Sequence, residues 1–188
     1  AGTDLVLRLG TATLVSGVTV DVEAGEVLGL VGPSGAGRTT LKLYFMMGLP
    51  LEDDEDAMAI ADLCLRVRDL GRRILGSRAG RLQLNVSVNN FIPKPFTPFQ
   101  WAGMADRETL LRRQGLLRAR LRKAGIHLVM HGIDKSYLEA ALARGGEDLG
   151  SVIERAWRRG ARFDSWTEEF RDDAWREAFA AAGTSAEQ

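Results

Sequence analysis

The residues whose types and spacing point most directly to chemistry are Gly32-Pro33-Ser34-Gly35-Ala36-Gly37-Arg38-Thr39. They differ from G-x-x-x-x-G-K-[ST] at one position, where Arg38 stands for lysine. In such a loop, residues like Gly32, Gly35 and Gly37 let backbone N–H groups wrap a phosphate. A basic side chain reaches the outer phosphates, and a hydroxyl such as that of Thr39 or Thr40 holds magnesium. Arg38 keeps the positive charge but presents a bulky planar fork instead of a compact ammonium. The wholly apolar run Val27-Leu28-Gly29-Leu30-Val31 before the loop reads as a short buried strand feeding it.

Other reactive groups are sparse. Cys64 is the single cysteine, which excludes an internal disulfide and a cysteine-ligated iron–sulfur cluster within these residues. It falls on the apolar stripe of a predicted helix and reads as a packed residue. His127 and His131 are four apart; on a strand that separates them by about 13 Å, too far to share a metal. No metal site is expected. Arg107, Arg112, Arg113, Arg118, Arg120, Arg122 and Lys123 make one predicted helix basic. That pattern suits either a phosphate backbone or a solvated face, and the solvated face is the preferred reading. Phe91, Phe96, Phe99 and Trp101, set among Pro93, Pro95 and Pro98, read as a stiffened loop plugging one end of a sheet with apolar rings.

The elements that must position these groups follow from periodicity. Leu5–Leu9 and the alternating Gly17–Val22 read as strands. Leu41–Met47 is a third, because Tyr44 and Phe45 favour strand and Gly48-Leu49-Pro50 ends it. The acids Glu52 to Asp56 open a helix, whose apolar stripe is Ile60, Leu63, Cys64, Val67 and Ile74. Leu82, Leu84, Val86 and Val88 alternate with polar residues and predict a strand parallel to 41–47, with the helix crossing between them. Asp106 caps a second helix ending near Gly125, and 126–130 is a short strand. Helices follow at roughly 135–144, 149–159 and 167–182, the last started by Ser165 or Thr167 with a Ser165/Glu168 capping box. Trp157, Phe163, Trp166, Phe170, Trp175 and Phe179 are expected to fill a small helical core.

The 188 residues are 45% hydrophobic and 27% charged, which excludes a wholly disordered chain. Twenty-five basic residues balance 25 acidic ones, so no global charge draws the chain to nucleic acid or acidic membrane. No run approaches the length of a membrane span, and the opening lacks a signal-peptide pattern. A cytoplasmic location is the expectation.

Residues 4–40, carried by Gly17-Val18-Thr19-Val20-Asp21-Val22 and by Gly25 through Gly37, resemble the opening of an ABC-transporter ATPase subunit. The resemblance implies ATP bound at Gly32, Gly35, Gly37, Arg38, Thr39 and Thr40. Leu9 stands where such subunits carry an adenine-stacking aromatic. Past Thr40 there is no Leu-Ser-Gly-Gly signature, no apolar strand ending in Asp-Glu and no switch histidine, so ATP hydrolysis is not expected.

Residues 41–183 resemble the C-terminal part of the radical S-adenosylmethionine domain in cobalamin-binding radical enzymes. The carriers are Lys42 through Pro50 with Glu52, Asn85-Val86-Ser87-Val88, Phe91 through Pro95, Thr97 through Trp101, Ala143 through Gly146, Val152 through Trp157 and Gly160 through Trp166. The resemblance implies a partial (β/α) barrel, with Gly48, Pro50 and Glu52 in the S-adenosylmethionine region. The family would use a [4Fe–4S] cluster, S-adenosylmethionine and cobalamin, yet the three cluster cysteines are missing and none of these cofactors is expected here.

The expected fold is therefore α/β: a partial barrel-like parallel sheet with a small N-terminal β segment and a C-terminal helical region. The expected divisions are 1–40, 41–131 and 132–188, with residues 37–41 as the seam between two pieces. The leading functional expectation is a radical-enzyme fragment without catalysis of its own, completed by a missing half-barrel or by self-association. The alternatives are an ATP- or phosphate-binding module through Gly32–Thr40, or an interaction protein using the basic helix 107–123; nucleic acid is not an expected partner.

Overall fold

The computed structural model describes residues 2–9, 12–20 and 39–187. The apolar run 27–31 and the loop residues 32–38 lie outside the described residues. Strands β1 (Gly2–Leu9) and β2 (Ala12–Val20) pair antiparallel, with Leu9 opposite Ala12 and Gly2 opposite Val20. Both extend further toward the N-terminus than alternation alone marks.

A second sheet contains β3 (Thr39–Met47), β4 (Leu82–Asn90) and β5 (His127–Met130), in that order and all parallel. Its register is unbroken from Thr39 opposite Leu82 to Met47 opposite Asn90. Parallel neighbours need long crossovers. Helix α1 (Asp54–Leu75), followed by a 3-10 turn (Gly76–Arg81), joins β3 to β4; α2 (Arg107–Lys123) lies between β4 and β5. The two helices pack on each other and on the sheet. The strand at 41–47 is thus present, and with it the α/β class.

Alternation explains which face the helices cover. Leu43, Phe45, Met47, Leu84, Val86 and Val88 are buried. Ala57, Ile60, Ala61 and Cys64 of α1 and Leu110, Leu117 and Leu121 of α2 are buried as well. The opposite face carries Lys42, Tyr44, Gln83 and Asn89, all exposed. Ile74 does not join the stripe of α1: it is 69% exposed, because the helix ends one residue later in the turn at Gly76.

The chain forms two compact units. One comprises residues Ala1–Phe91 and Ala105–Met130; the other comprises Ile92–Met104 and His131–Gln188. The second holds α3 (Ile133–Arg144), α4 (Leu149–Arg158) and α5 (Asp172–Ala181). Leu138, Val152, Ala156, Ala161, Ala174, Trp175, Ala178 and Phe179 make its core.

Three expectations for this second unit are corrected. Helix α5 begins at Asp172, not at Ser165 or Thr167. Residues 164–169 form successive turns, and Phe163 has φ +56°, a left-handed conformation that a helix does not admit. Asp172 and Asp173 supply the acidic first turn that favours a start there. Of the six aromatics expected in the core, only Trp175 and Phe179 are buried; Trp157, Phe163 and Trp166 are exposed and Phe170 is half-buried. Small alanines on α4 and α5 let those helices approach closely, which leaves little volume for further rings. Nor is the proline loop a plug: Phe96 is 98% and Trp101 86% exposed. Phe91 and Pro93 are the buried members of that stretch.

Candidate functional site

The described residues place one dense polar cluster at the end of β3. Met47 is the last strand residue, and its carbonyl accepts from the Phe91 amide at 2.7 Å, tying the ends of β3 and β4. Gly48 follows at φ +90°, a conformation glycine adopts without steric cost. A Cβ there would also stand 3.0 Å from a methyl of Leu110, so any side chain would be strained twice. The turn closes with the Glu52 amide donating to the Leu49 carbonyl at 3.2 Å. Pro50 sits exposed at its tip.

This turn folds the Glu52 carboxylate back onto the backbone. The Gly48 amide donates to both carboxylate oxygens at 2.9 Å, and the Leu49 amide donates to Oε2 at 3.3 Å. Arg113 of α2 completes the cluster. Its Nη1 donates to Glu52 Oε1 at 2.7 Å, its Nη2 to the Glu52 carbonyl at 2.5 Å and its Nε to Asp54 Oδ1 at 3.1 Å. The Glu52 and Arg113 side chains are only 8% and 7% exposed. Arg112 adds a bidentate grip on Asp54 from the surface, at 2.9 and 3.0 Å. Beside them Gln114 Nε2 donates to Asn90 Oδ1 at 3.2 Å, both residues being buried.

Two buried charges stand here because each is paired and hydrogen-bonded. The carboxylate oxygens of Glu52 already receive two backbone amides and a guanidinium, an arrangement that fixes geometry instead of offering a free acid or base. The cluster joins the strand end to the start of α1 and to the second turn of α2. Asp53 caps α1 by accepting from the Glu55 and Asp56 amides, and Asp56 accepts from the Asp53 amide, a reciprocal capping box.

The other sequence-predicted groups are dispersed. Thr39 and Thr40 begin β3, with Thr39 opposite Leu82. Thus the residues after the glycine-rich loop are strand, and Gly32, Gly35, Gly37 and Arg38 lie outside the described residues. Cys64 is fully buried, and desolvation pushes its thiol up to about 12. His127 is exposed on β5; His131 Nδ1 lies 3.2 Å from Ser136 Oγ. The basic helix is engaged with α1: Arg112 and Arg113 hold Asp54, and Arg120 holds Asp62 at 3.0 Å. Its charge therefore serves helix–helix packing, which weakens its reading as a docking surface. Arg113 is the functional residue that sequence reasoning misplaced: it was grouped with a solvated face. Its signal was the spacing Leu110, Arg113, Gln114, Leu117, Leu121, which puts it on the buried side of α2.

Among the described residues no helix is long and apolar enough to cross a membrane. No protein-family model matches the chain, and no solved structure matches it. Curated relatives do match. A methionine import ATP-binding protein of Rhizobium etli is 30% identical over 156 residues, which is 81% of this chain and 40% of that protein. A zinc import ATP-binding protein of Alcanivorax borkumensis is 27% identical over 143 residues, 73% of this chain and 49% of that protein. An uncharacterized protein of Methanocaldococcus jannaschii is 30% identical over 118 residues, 63% of this chain and 24% of that protein. The chain thus spans less than half the length of these relatives.

These matches overturn the radical-enzyme expectation for residues 41–183. Two of the named relatives are import ATP-binding proteins, and their alignments of 143 and 156 residues cannot fit within the first 40. The iron–sulfur, S-adenosylmethionine and cobalamin associations find no support in these two matches. Physically, the Glu52 carboxylate is committed to Arg113 and the strand-end amides.

Proposed function

We propose that this chain binds the phosphates of a nucleotide such as ATP through Gly32–Thr40, weakly and without hydrolysing it alone. The observation that carries this reading is similarity to ATP-binding subunits, which is densest in short segments. A spermidine/putrescine import ATP-binding protein is 52% identical over 46 residues and a hemin import ATP-binding protein 57% identical over 37.

Geometry sets the expected strength. In a full phosphate loop the N-terminus of a helix aims its dipole at the anion. Because β3 starts at Thr39, the proposed reading relies on backbone amides, Arg38 and a threonine hydroxyl as phosphate ligands, with no helix dipole behind them. Leu9 in place of an aromatic ring removes base stacking. The base therefore contributes little, and inorganic triphosphate competes about as well as ATP. A partner supplying acidic and signature residues would be required for turnover, since phosphoryl transfer needs magnesium support and a positioned water.

Calorimetric titration of the full chain with MgATP tests this. A dissociation constant of about 0.1–1 mM is expected, raised at least about tenfold in Gly37→Val. Absence of saturation below about 20 mM, or an unchanged constant in Gly37→Val, overturns the reading.

A further inference from the structure

Helix α4 carries a local charge excess that the whole chain's balance of 25 basic and 25 acidic residues hides. Val152 and Ala156 turn its apolar side into the core of the helical unit. Its last turn and the loop after it carry Arg155, Arg158, Arg159 and Arg162, all exposed. Gly160 takes φ +93°, and the Ala161 amide donates to the Ala156 carbonyl at 3.0 Å, so the chain turns back on the end of α4. That turn lays the Arg162 guanidinium 4.7 Å from the centre of the Trp157 ring, with Nη1 donating to the Trp157 carbonyl at 2.9 Å.

Two carboxylates meet these four cations. Arg158 holds Glu154 at 2.6 Å and Arg159 holds Glu177 at 3.0 Å, each pair lying in solvent. Exposed pairs are weak, so their cations stay open to a stronger anion. Among the described residues Arg155 has no ion-pair or hydrogen-bond partner, and Arg162 meets no carboxylate. A helix C-terminus favours cations, but that leaves the rings beside them unexplained. Trp157, Phe163 and Trp166 are all exposed. Phe163 takes φ +56°, and the Trp166 amide donates to the Phe163 carbonyl at 2.9 Å, so one turn presents two rings. A left-handed conformation strains a residue with a large side chain, and an exposed ring regains nothing through burial.

Cations and rings in one stretch suit a polymer that carries both phosphates and flat bases. Guanidinium forks match phosphate oxygens, and unpaired bases stack on aromatic faces. A lipid surface fits less well. It is broad and flat, and would bring the exposed Glu154, Glu168 and Glu169 against its own negative charge. A single strand threads between such acids. We infer that the exposed face of α4 and the loop 159–166 bind single-stranded nucleic acid. Arg155, Arg158 and Arg159 take phosphates, Trp157, Phe163 and Trp166 take bases, and Arg162 holds the Trp157 ring.

The probe is a fluorescein-labelled oligothymidylate of about 20 nucleotides, titrated with the full chain and followed by anisotropy. A dissociation constant of about 1–100 µM is expected at low salt. Log affinity should fall against log salt with a slope of about −2, as for three neutralised phosphates of a single strand. Inorganic polyphosphate offers the charge without the bases and should bind at least about tenfold more weakly. Trp157→Ala should weaken oligothymidylate at least about fivefold and Arg155→Ala about threefold. Arg118→Ala removes an exposed arginine of α2 and should leave binding unchanged. No saturation by about 300 µM chain, polyphosphate binding as well as oligothymidylate, or an equal loss in Arg118→Ala would overturn the proposal. So would binding to vesicles of phosphatidylcholine and phosphatidylserine with no shift of the oligothymidylate. The polyphosphate comparison uses the unaltered protein, so a variant that fails to fold does not blunt the test.

Discussion

The two units of this chain treat buried polarity in opposite ways. In the unit with the parallel sheet, the buried Arg113 and Glu52 pair with each other, Asp54 adds a second carboxylate, and Gln114 pairs with Asn90. In the helical unit, Asp164 Oδ1 and Trp175 Nε1 are buried without a partner. Large rings do not follow that division: the sheet unit buries Phe45 and Phe91 but exposes Tyr44, and the helical unit buries Trp175 and Phe179 while exposing Phe96, Trp101, Phe163 and Trp166. The first unit closes its polar groups on one another; the second leaves these two buried atoms without a partner.

The largest expected effect comes from breaking the closed cluster. Arg113→Ala leaves the Glu52 carboxylate buried without its cation and should cost about 3–5 kcal/mol. Arg112→Ala removes a half-exposed partner of Asp54 and should cost at most about 1 kcal/mol. Urea unfolding of both variants checks this, and similar losses would mean that burial does not distinguish the two arginines.

A smaller contrast lies within α4, where neighbours face opposite ways. Val152 is 1% exposed and Ile153 46%. Val152→Ala should destabilise the helical unit by about 2 kcal/mol through lost burial and a residual cavity, and Ile153→Ala by less than about 0.5 kcal/mol. Hydrogen exchange on α4 and α5 amides reads the two values locally. Equal costs would show that the alanine-lined core closes over a missing methyl pair.

The smallest effect under ordinary conditions concerns Cys64. Its thiol is raised from 9.0 to about 12 by desolvation, so the folded state holds its proton more tightly than the unfolded state. Stability from this group is therefore whole below pH 9 and lost as pH rises from 9 toward 12. At pH 8 a thiol reagent should label the folded chain at least about a hundredfold more slowly than the urea-unfolded chain. Fast labelling of the folded form would place Cys64 at a surface and open the sheet unit's core.

What could be read directly from the residues follows local periodicity. Leu82, Leu84, Val86 and Val88 alternate, and so fixed both a strand and its buried face. The acids Glu52 to Asp56 and the cap at Asp106 announced two helix starts, which the structure places at Asp54 and Arg107, and caps act within a few residues. Gly48-Leu49-Pro50 marked where β3 stops. The helical unit was harder, because aromatic residues at helical spacing are compatible with either a core or a surface. Neither periodicity nor propensity reveals that Phe163 takes a left-handed conformation and halts the pattern.

The sequence alone determined the strand–helix–strand alternation, the caps and the glycine-rich loop, since each depends on residues near one another in the chain. The tertiary structure decided the rest. It brought Arg113 to Glu52 across 61 residues, turned a basic helix toward the acids of α1, and left Asp164 Oδ1 buried without a partner. Charge pairing depends on distance and desolvation in three dimensions, and neither is written in sequence spacing.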